Sequence, residues 1–302
     1  MDLKSKIILI YGPTASGKSK FAIKIAKKIN GEIVNADSMQ IYKELKILSA
    51  RPLKTDYKKI KHHLYGFHSV KKNFSTGNWL RLVKKKIKEI KKRKKTPILV
   101  GGTGLYFKAL TEGLVKIPNI PIKLRKNIRE LHKKLGPKKF FSRLKNLDPL
   151  AAKRINPLDS QRSIRAYEVK LFTKKSMYDW FKNTKSDFEK EDFYKILIDY
   201  PREKLINQIN IRSKNMIKNN AILEVKKLMK LNVPSSKTAQ KAIGVREIGA
   251  YINQNIQINE LIEKISIKTR QYAKRQTTWA RGNMIDWNKI DSTGLNKFLK
   301  KI

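Results

Sequence analysis

Residues 7–19 read IILIYGPTASGKS, and this stretch decides the fold. The five apolar residues Ile7–Tyr11 end at a glycine-proline pair, which is typical of a short buried strand in a parallel sheet. Residues 12–19, the phosphate loop, match the pattern G-x-x-x-x-G-K-[ST] at every defined position. An apolar helical stripe follows over residues 18–29. Strand, loop and helix in this order predict a P-loop that binds a di- or triphosphate.

The chemistry of a phosphate loop depends on its backbone, its lysine and its last hydroxyl. The glycines let successive N–H groups converge on phosphate oxygens, Lys18 adds a positive charge, and the Ser19 hydroxyl can ligate Mg²⁺. A chance glycine-rich turn is the alternative interpretation. The loop alone does not name a reaction, because kinases, nucleotide hydrolases and group transferases share it. The predicted phosphate-binding residues are Gly12, Pro13, Thr14, Ala15, Ser16, Gly17, Lys18 and Ser19.

Two further strands bring polar side chains to the edge of the predicted sheet where the phosphate loop lies. A strand at residues 32–36 delivers Asp37, and the strand PILV at residues 97–100 leads into Gly-Gly-Thr-Gly with Thr103. Asp37 could act as a general base, cap a helix or ligate Mg²⁺, and the spacing leaves these roles open. No carboxylate follows PILV, which argues against a motor or switch ATPase.

The chain changes character after Lys116, where prolines punctuate the sequence. Basic helical patterns follow, and then the strand-like KILIDY at residues 195–200 precedes further helices. We therefore predict an α/β fold with a P-loop NTPase-like parallel sheet core. The core comprises residues 1–120 and 194–302, and a helical insertion comprises residues 121–193.

Composition limits the classes of function. Cysteine is absent, so disulfides and thiolate metal sites are excluded. No signal peptide or membrane-spanning stretch is evident, and we expect a cytoplasmic protein without membrane association. Seventy Lys and Arg against 24 Asp and Glu give a net charge of +46. This charge fits a polyanionic partner such as a nucleic acid, or equally the lysine-rich composition of an AT-rich coding sequence.

A series of motifs resembles one enzyme family. GPTASGKS, NADSMQIYK, SARP, HHL, ILVGGTGLYFKAL, SQRSIRAYEV, AIGVREI and TRQYAKRQTTWAR occur in this order along nearly the whole chain. The order is similar to that of the bacterial tRNA dimethylallyltransferases, or tRNA isopentenyltransferases. The resemblance implies transfer of the five-carbon group of dimethylallyl diphosphate to N6 of the adenosine 3′ of the anticodon in tRNA, with Mg²⁺ assisting. The products would be N6-isopentenyladenosine and diphosphate.

The resemblance also assigns residues to roles. The phosphate loop would hold the leaving diphosphate instead of ATP, and Asp37 would accept the N6 proton. Thr103 would contact the substrates, and Arg212 in NIRSKNM would help to bind the diphosphate. The adenosine would leave the anticodon stack to reach this site. The tRNA-contacting residues that the resemblance implies are Asp37, Ser38, Met39, Gln40, Thr103, Arg125, Gln161, Arg162, Ser163, Ile164, Arg165, Lys241, Ala242, Ile243, Gly244, Val245 and Arg246.

A basic helix near the C-terminus is a further candidate for tRNA contact. Arg270, Lys274 and Arg275 stand beside Tyr272 and Trp279, a mixture of cations and aromatic rings that suits phosphates and bases. The alternative is an amphipathic helix with a solvated basic face.

The sequence departs from the family pattern at three positions. Arg51 stands where lysine is usual, Val245 where an aromatic residue is usual, and Ser160 where proline or aspartate is common. Val245 has no aromatic ring, so it cannot make the stacking contact that the family pattern implies at this position. We expect a structural role for the histidine pair His62 and His63.

Three other functions compete with tRNA prenylation. They are a prenyltransferase for free adenine nucleotides, a small-molecule kinase, and a non-catalytic RNA-binding protein. The helical insertion and the basic C-terminal helix argue against the first, and the intact set of Lys18, Asp37 and Thr103 argues against the last. The expected partners are dimethylallyl diphosphate and a tRNA anticodon stem-loop, with the protein acting as a monomer.

Overall fold

A parallel sheet of six strands forms the centre of the computed structural model, which describes residues 3–253 and 256–302. The strands are β1 (Ile7–Tyr11), β2 (Gly31–Asn35), β3 (His62–His63), β4 (Thr96–Gly101), β5 (Phe193–Asp199) and β6 (Asn288–Asp291). Their order across the sheet is β3-β2-β4-β1-β5-β6, and every pair is parallel. The predicted α/β fold with a parallel sheet is confirmed.

In the described part of the chain, helices cover both faces of the sheet. They are α1 (Lys18–Lys28), α2 (Thr76–Lys92), α3 (Gly104–Thr111), α4 (Ile122–Leu147), α5 (Pro149–Ala152), α6 (Ser160–Thr173), α7 (Met177–Phe181), α8 (Arg202–Lys218), α9 (Ala221–Lys230), α10 (Val245–Ile252), α11 (Ile258–Asn283) and α12 (Gly294–Lys301). Within the described ranges, no helix is both long enough and apolar enough to cross a membrane.

The central strand shows why continuous apolar runs form this sheet. Alternate residues of β1 point to opposite faces, and both faces are covered. Ile8 and Ile10 pack in a cluster with Ile25 of α1, whereas Leu9 packs in a second cluster with Trp79 of α2. Burying each such side chain contributes about 1.5–3 kcal/mol, so these clusters fix the sheet and the loops at its edge.

The long loop after β2 carries Asp37 and is held by the C-terminal helices. Its apolar residues Ile41 and Leu45 pack in a cluster with Val225 of α9. The Glu224 carboxylate accepts hydrogen bonds from the backbone N–H groups of Lys46, Ile47 and Leu48 at 2.8, 2.8 and 3.0 Å. A carboxylate that accepts three backbone hydrogen bonds anchors this loop at one end, while β2 anchors the other.

The chain divides into two compact units. The larger contains Met1–Thr111 and Phe188–Ile302, and the smaller contains Glu112–Asp187. The smaller unit begins and ends earlier than residues 121–193. At its C-terminal side, Phe188 packs against Phe193 of β5 within the larger unit. By itself the smaller unit is helical, built from α4 to α7 around Leu144, Ala166 and Val169.

Candidate active site

The phosphate loop connects β1 to α1 at the carboxyl edge of the sheet. Ala15 and Gly17 have φ values of 65° and 76°, so the backbone passes twice through the left-handed region before α1 begins at Lys18. A side chain on Gly12 would bring its Cβ to 2.8 Å from Ser16 Oγ and 3.1 Å from Cβ of Ile198 on β5. The motif glycines therefore satisfy both a backbone conformation and a close approach of two elements.

Two cations and one carboxylate lie close together beside the phosphate loop. Lys18 Nζ donates a hydrogen bond to the Pro13 carbonyl at 3.1 Å, and Arg212 Nη1 donates to Thr14 Oγ1 at 2.8 Å. Burial lowers the pKa of Lys18 to about 8, an effect that Asp37 opposes and Arg212 reinforces. Burial also lowers the pKa of Arg212, and Asp37 again opposes it. Residues from the phosphate loop, the loop after β2, and α8 thus form one charged group.

Two further hydrogen-bond donors at this site are unused. Within the described residues, Ser16 Oγ and Arg212 Nε are buried and have no hydrogen-bond partner. A buried donor without a partner costs about 1–3 kcal/mol unless a ligand or water satisfies it. Oxygens of a diphosphate group would satisfy both donors.

The structure removes one of the three interpretations of Asp37. Its carboxylate Oδ1 accepts a hydrogen bond from the N–H of Met39 at 2.9 Å, and turns, not a helix, follow it. The helix-cap interpretation is therefore wrong, because no helix begins after Asp37. The Asp37 side chain instead holds a local turn, which needs no helix. Burial raises the pKa of Tyr272 on α11, and the charge of Asp37 raises it further.

Thr103 joins the loop after β4 to the loop after β2. Its Oγ1 accepts a hydrogen bond from the N–H of Ser38 at 2.9 Å and donates one to Ser38 Oγ at 3.3 Å. The Thr103 N–H donates to the Ala36 carbonyl at 3.3 Å. At Gly101 a side chain would overlap the backbone of Ala36, which explains a glycine at the end of β4. The structure thus places Thr103 beside the segment that begins with Asp37.

Sequence reasoning missed Gln276 of α11. Its Oε1 accepts a hydrogen bond from the Thr14 N–H, and its Nε2 donates to the Gly102 carbonyl, each at 2.8 Å. The sequence signal is a polar residue on the apolar stripe of a helix, since Ala273 and Ala280 on the same face are buried. A glutamine at such a position needs partners, and the structure provides two.

The predicted tRNA-contacting residues of the loop after β2 and of α11 differ in exposure. The Gln40 amide nitrogen donates to the carbonyls of Ser49 and Ala50, so that group holds its own loop. Lys274 and Arg275 are exposed on α11, and the Arg275 guanidinium lies 5.9 Å from the centre of the Tyr272 ring. The remaining predicted residues here, Ser38, Met39 and Arg270, are partly buried.

The predicted tRNA segment at residues 241–246 alternates between surface and core. Lys241 and Arg246 are exposed, Ile243 is partly buried, and the side chains of Ala242 and Val245 are buried. Gly244 has φ 101°, and a side chain there would press on Leu48. Any tRNA contact by Ala242, Gly244 or Val245 must therefore use the backbone.

In the smaller unit, a buried carboxylate organises an arginine cluster. Glu168 is 1% exposed and lies 3.3 Å from Arg125 Nε, 3.7 Å from Arg129 Nε and 3.4 Å from Arg165 Nη1. Arg129 was not among the predicted residues. The other predicted residues of α6 include exposed Gln161 and Arg162, partly buried Ile164, and buried Ser163.

The histidine pair and the predicted metal ligand lie in different surroundings. His63 Nε2 lies 2.6 Å from the buried Glu32 carboxylate, and the His62 ring stacks on Tyr57 at 3.8 Å.

Among the described residues, no group of three His, Cys, Asp or Glu side chains is arranged to hold a metal. Ser19 offers one hydroxyl, which suits Mg²⁺ bound mainly through phosphate oxygens and water.

Comparisons with known proteins agree on one family. The IPP transferase family model matches residues 40–283. A tRNA dimethylallyltransferase of Pelagibacter ubique is 58% identical over 302 residues, covering 100% of this chain and 96% of the relative. A Rickettsia massiliae protein of the same name is 42% identical, covering 99% and 83% of the two chains.

Solved structures give the same result. A tRNA isopentenylpyrophosphate transferase from Staphylococcus epidermidis has a TM-score of 0.68 at 32% identity, covering 98% of this chain and 96% of its own. A eukaryotic dimethylallyltransferase acting on tRNA has a TM-score of 0.82 at 26% identity, covering 97% and 75%. The resemblance of the motifs is confirmed, and the chain belongs to the IPP transferase family.

Proposed function

We propose that this enzyme transfers the dimethylallyl group of dimethylallyl diphosphate to N6 of the adenosine 3′ of the anticodon in tRNA. The relatives named tRNA dimethylallyltransferase support the group and the acceptor. The observation that carries the proposal is the site itself. The phosphate loop contributes Lys18 and the Ser16 hydroxyl, and Arg212 of α8 donates to Thr14 of the same loop. Asp37 and Thr103 lie in the loops after β2 and β4, at the same edge of the sheet.

In the proposed reaction, the phosphate loop binds the diphosphate of the donor. The bond between the allylic carbon and the diphosphate oxygen breaks, and negative charge collects on that oxygen. Lys18 and Arg212 stabilise this charge where it develops, which is the most effective place for a cation in a transition state. The electron pair of N6 forms the new carbon–nitrogen bond.

Asp37 is the proposed base, with Thr103 as its neighbour in positioning the acceptor. The nitrogen that attacks gains a positive charge, and loss of one proton to the Asp37 carboxylate restores a neutral amine. The loop of Asp37 is fixed by the Met39 and Thr103 hydrogen bonds, so the carboxylate needs little reorganisation. One dimethylallyl group is transferred for each diphosphate released.

Magnesium fits the proposal as a partner of the diphosphate. Ser19 would contribute its hydroxyl, and the donor's phosphate oxygens and water would supply the other ligands. When bound, the metal neutralises charge on the leaving diphosphate.

For the tRNA, we propose three surfaces beyond the reaction centre. They are the arginine cluster around Glu168 in the insertion, the segment at residues 241–246, and the exposed basic residues of α11. The target adenosine must leave the anticodon stack, since its N6 is otherwise enclosed. We place the enzyme in the cytoplasm as a monomer.

Labelled dimethylallyl diphosphate with Mg²⁺ tests this proposal against its competitors. The acceptors are a tRNA with adenosine 3′ of the anticodon, the same tRNA with guanosine there, AMP, or none. We expect label only in the first tRNA and N6-isopentenyladenosine after its digestion. Label in AMP would indicate a free-nucleotide prenyltransferase. No transfer to any acceptor would reject the proposal. A parallel assay with labelled ATP in place of dimethylallyl diphosphate detects a kinase by phosphate transfer to a small molecule.

A further inference from the structure

A single side chain connects the two loops that the proposed reaction brings together. Gln276 accepts the Thr14 N–H of the phosphate loop and donates to the Gly102 carbonyl, one residue before Thr103. We infer that Gln276 is a positioning residue that sets the spacing between the leaving diphosphate and the acceptor nitrogen. This inference rests on the proposed function.

The surroundings of Gln276 allow little movement. The side chain is buried, at 5% exposure, and Tyr11 OH donates to its backbone carbonyl at 3.0 Å. A side chain at Gly102 would overlap Gln276 Nε2, and one at Gly104 would overlap the Trp279 ring, one turn farther along α11. The helix therefore contacts the loop after β4 at Gly102, the first residue of α3 at Gly104, and β1 at Tyr11.

Thr14 is the link between this contact and the charged group. Its N–H donates to Gln276 and is therefore not free for an incoming phosphate, while its hydroxyl oxygen accepts from Arg212. Thr14 thus serves to hold the phosphate loop against α11 and α8. Any change in the length or hydrogen bonding of residue 276 moves the phosphate loop relative to Gly102 and Thr103.

Such a movement affects the rate constant of the chemical step more than the binding of either substrate. Misplacing reacting atoms by about 1 Å can lower a rate by on the order of a hundredfold. Donor affinity depends mostly on Lys18, Arg212 and the backbone of the phosphate loop, and these residues remain. A glutamine that only stabilised the core would lower the melting temperature and leave this rate constant unchanged.

Three variants separate positioning from stability. Gln276→Met keeps the shape and removes both hydrogen bonds, and Gln271→Met makes the same change at an exposed position of α11. Gln276→Glu also keeps the shape, but it offers one donor and one acceptor, as glutamine does, only when its carboxyl group is protonated. Its carbonyl oxygen then accepts the Thr14 N–H, and its O–H donates to the Gly102 carbonyl. Burial raises the pKa of such a carboxyl group.

Single-turnover prenylation at saturating donor and tRNA is the primary measurement. We expect Gln276→Met to lower the rate constant about tenfold to a hundredfold, with a much smaller change in the donor dissociation constant. Gln271→Met should match the parent. The ratio of Gln276→Glu to parent should rise as the pH falls from 8 to 5.5, while the ratio for Gln276→Met stays flat.

A second measurement does not depend on prenylation. The Thr14 amide should exchange its hydrogen slowly in the parent and faster in Gln276→Met, as judged by hydrogen exchange of the folded protein. If the parent and Gln271→Met fail to prenylate tRNA, the proposed function fails and the exchange result still tests the contact. Parent-like rate constants for both Gln276 variants would overturn the inference, as would a ratio for Gln276→Glu that is lowered and independent of pH. Should Gln276→Met not fold, the pH dependence of Gln276→Glu decides alone.

Discussion

Lys18, Asp37 and Arg212 form the charged part of the site, and each cation responds to the single carboxylate. Burial lowers the pKa of both cations, and Asp37 opposes that effect. Before the donor binds, Asp37 is therefore the main negative charge near two buried cations. A diphosphate that enters brings several negative charges to the same place, which stabilises the cations and repels the carboxylate.

The first prediction concerns Asp37→Asn. We expect turnover to fall by on the order of a hundredfold or more, the usual contribution of a general base. Donor affinity should be unchanged or higher, since a negative charge near the diphosphate is removed. Steady-state kinetics together with equilibrium binding of dimethylallyl diphosphate provide the measurement. Asp199→Asn, at the exposed end of β5, is the matched control and should retain parent turnover. Near-parent turnover in Asp37→Asn would exclude Asp37 as the base.

The second prediction concerns pH. With a pKa of about 8, Lys18 is protonated below that pH and loses its charge as the pH rises through it. Bound diphosphate favours the charged form, so donor affinity should be highest below pH 8 and decline above it. The decline approaches tenfold per pH unit if only the charged form binds. Titrations between pH 6.5 and 9.5 measure this dependence.

The control for that titration is Lys18→Arg, which stays charged throughout the range. It should bind the donor more weakly than the parent at pH 7 because the geometry differs, and it should show no decline near pH 8. A decline of equal size in both proteins would assign the effect to another group, and Lys18 would then not be the ionisation that governs donor binding.

Among the elements, those with a strong local pattern were predictable and those defined by pairing were not. The apolar run of β1 and the stripe of α2, with Val83 and Ile87, identify a buried strand and a packed helix. In contrast, β3 has two residues and β6 exposes three of four, so only their partners in the sheet make them strands. Secondary structure that depends on a distant strand leaves no periodic signal in its own sequence.

The residues of the site were likewise predictable where a local motif defines them, and not where distant partners do. The phosphate loop is a contiguous motif whose spacing follows from backbone geometry, so it could be read directly. The roles of Asp37 could not be separated, because a cap and a turn use the same side chain until the following backbone is known. Gln276 and Arg129 were missed because their partners, Thr14 and Glu168, are remote in sequence.

The third prediction concerns α6, where two arginines have different surroundings. Arg162 is 69% exposed and pairs only with Asp159 among the ion pairs found in the described residues, whereas Arg165 pairs with buried Glu168. Replacing both with alanine should raise the Michaelis constant for tRNA far more than that for the donor. The slope of log affinity against log salt should fall by about one unit for each lost phosphate contact.

The control for α6 is Lys182→Ala, an exposed cation of the same unit that pairs with Asp179. It should leave both Michaelis constants and the salt slope unchanged. If the arginine variant binds tRNA like the parent across the salt titration, Arg162 and Arg165 are solvated surface residues that do not contact tRNA. The basic face of α11 around Arg270 would then be the surface to test.

For the whole molecule, the net charge of +46 reflects either tRNA binding or the lysine-rich composition of the chain. The positions of the charged residues on the surface distinguish these two interpretations. Charge that serves tRNA binding must lie within about one Debye length, 8 Å at physiological salt, of a bound phosphate. Charge from composition is spread over all surfaces. The C-terminal half of α2 is highly basic and leads into the amino end of β4, the edge of the sheet opposite the phosphate loop.

The fourth prediction follows from that placement. Lys85, Lys88 and Lys92 are exposed on α2, and replacing all three with glutamine removes three positive charges without disturbing the buried stripe. If most of the charge reflects composition, the Michaelis constant for tRNA should change less than about twofold at 0.15 M salt, because the removed charges are screened. The salt slope should equal that of the parent.

The comparison that gives this result meaning is with the double alanine variant of α6, which removes only two charges. If replacing two arginines raises the Michaelis constant for tRNA more than replacing three lysines, tRNA binds a defined surface. The other charged residues are then solvated surface residues that do not contact tRNA. Equal effects per charge would instead mean that the enzyme attracts tRNA through its total field. Measuring association rates at low and physiological salt distinguishes these cases further, because a long-range field acts mainly on the association rate and is lost as salt increases.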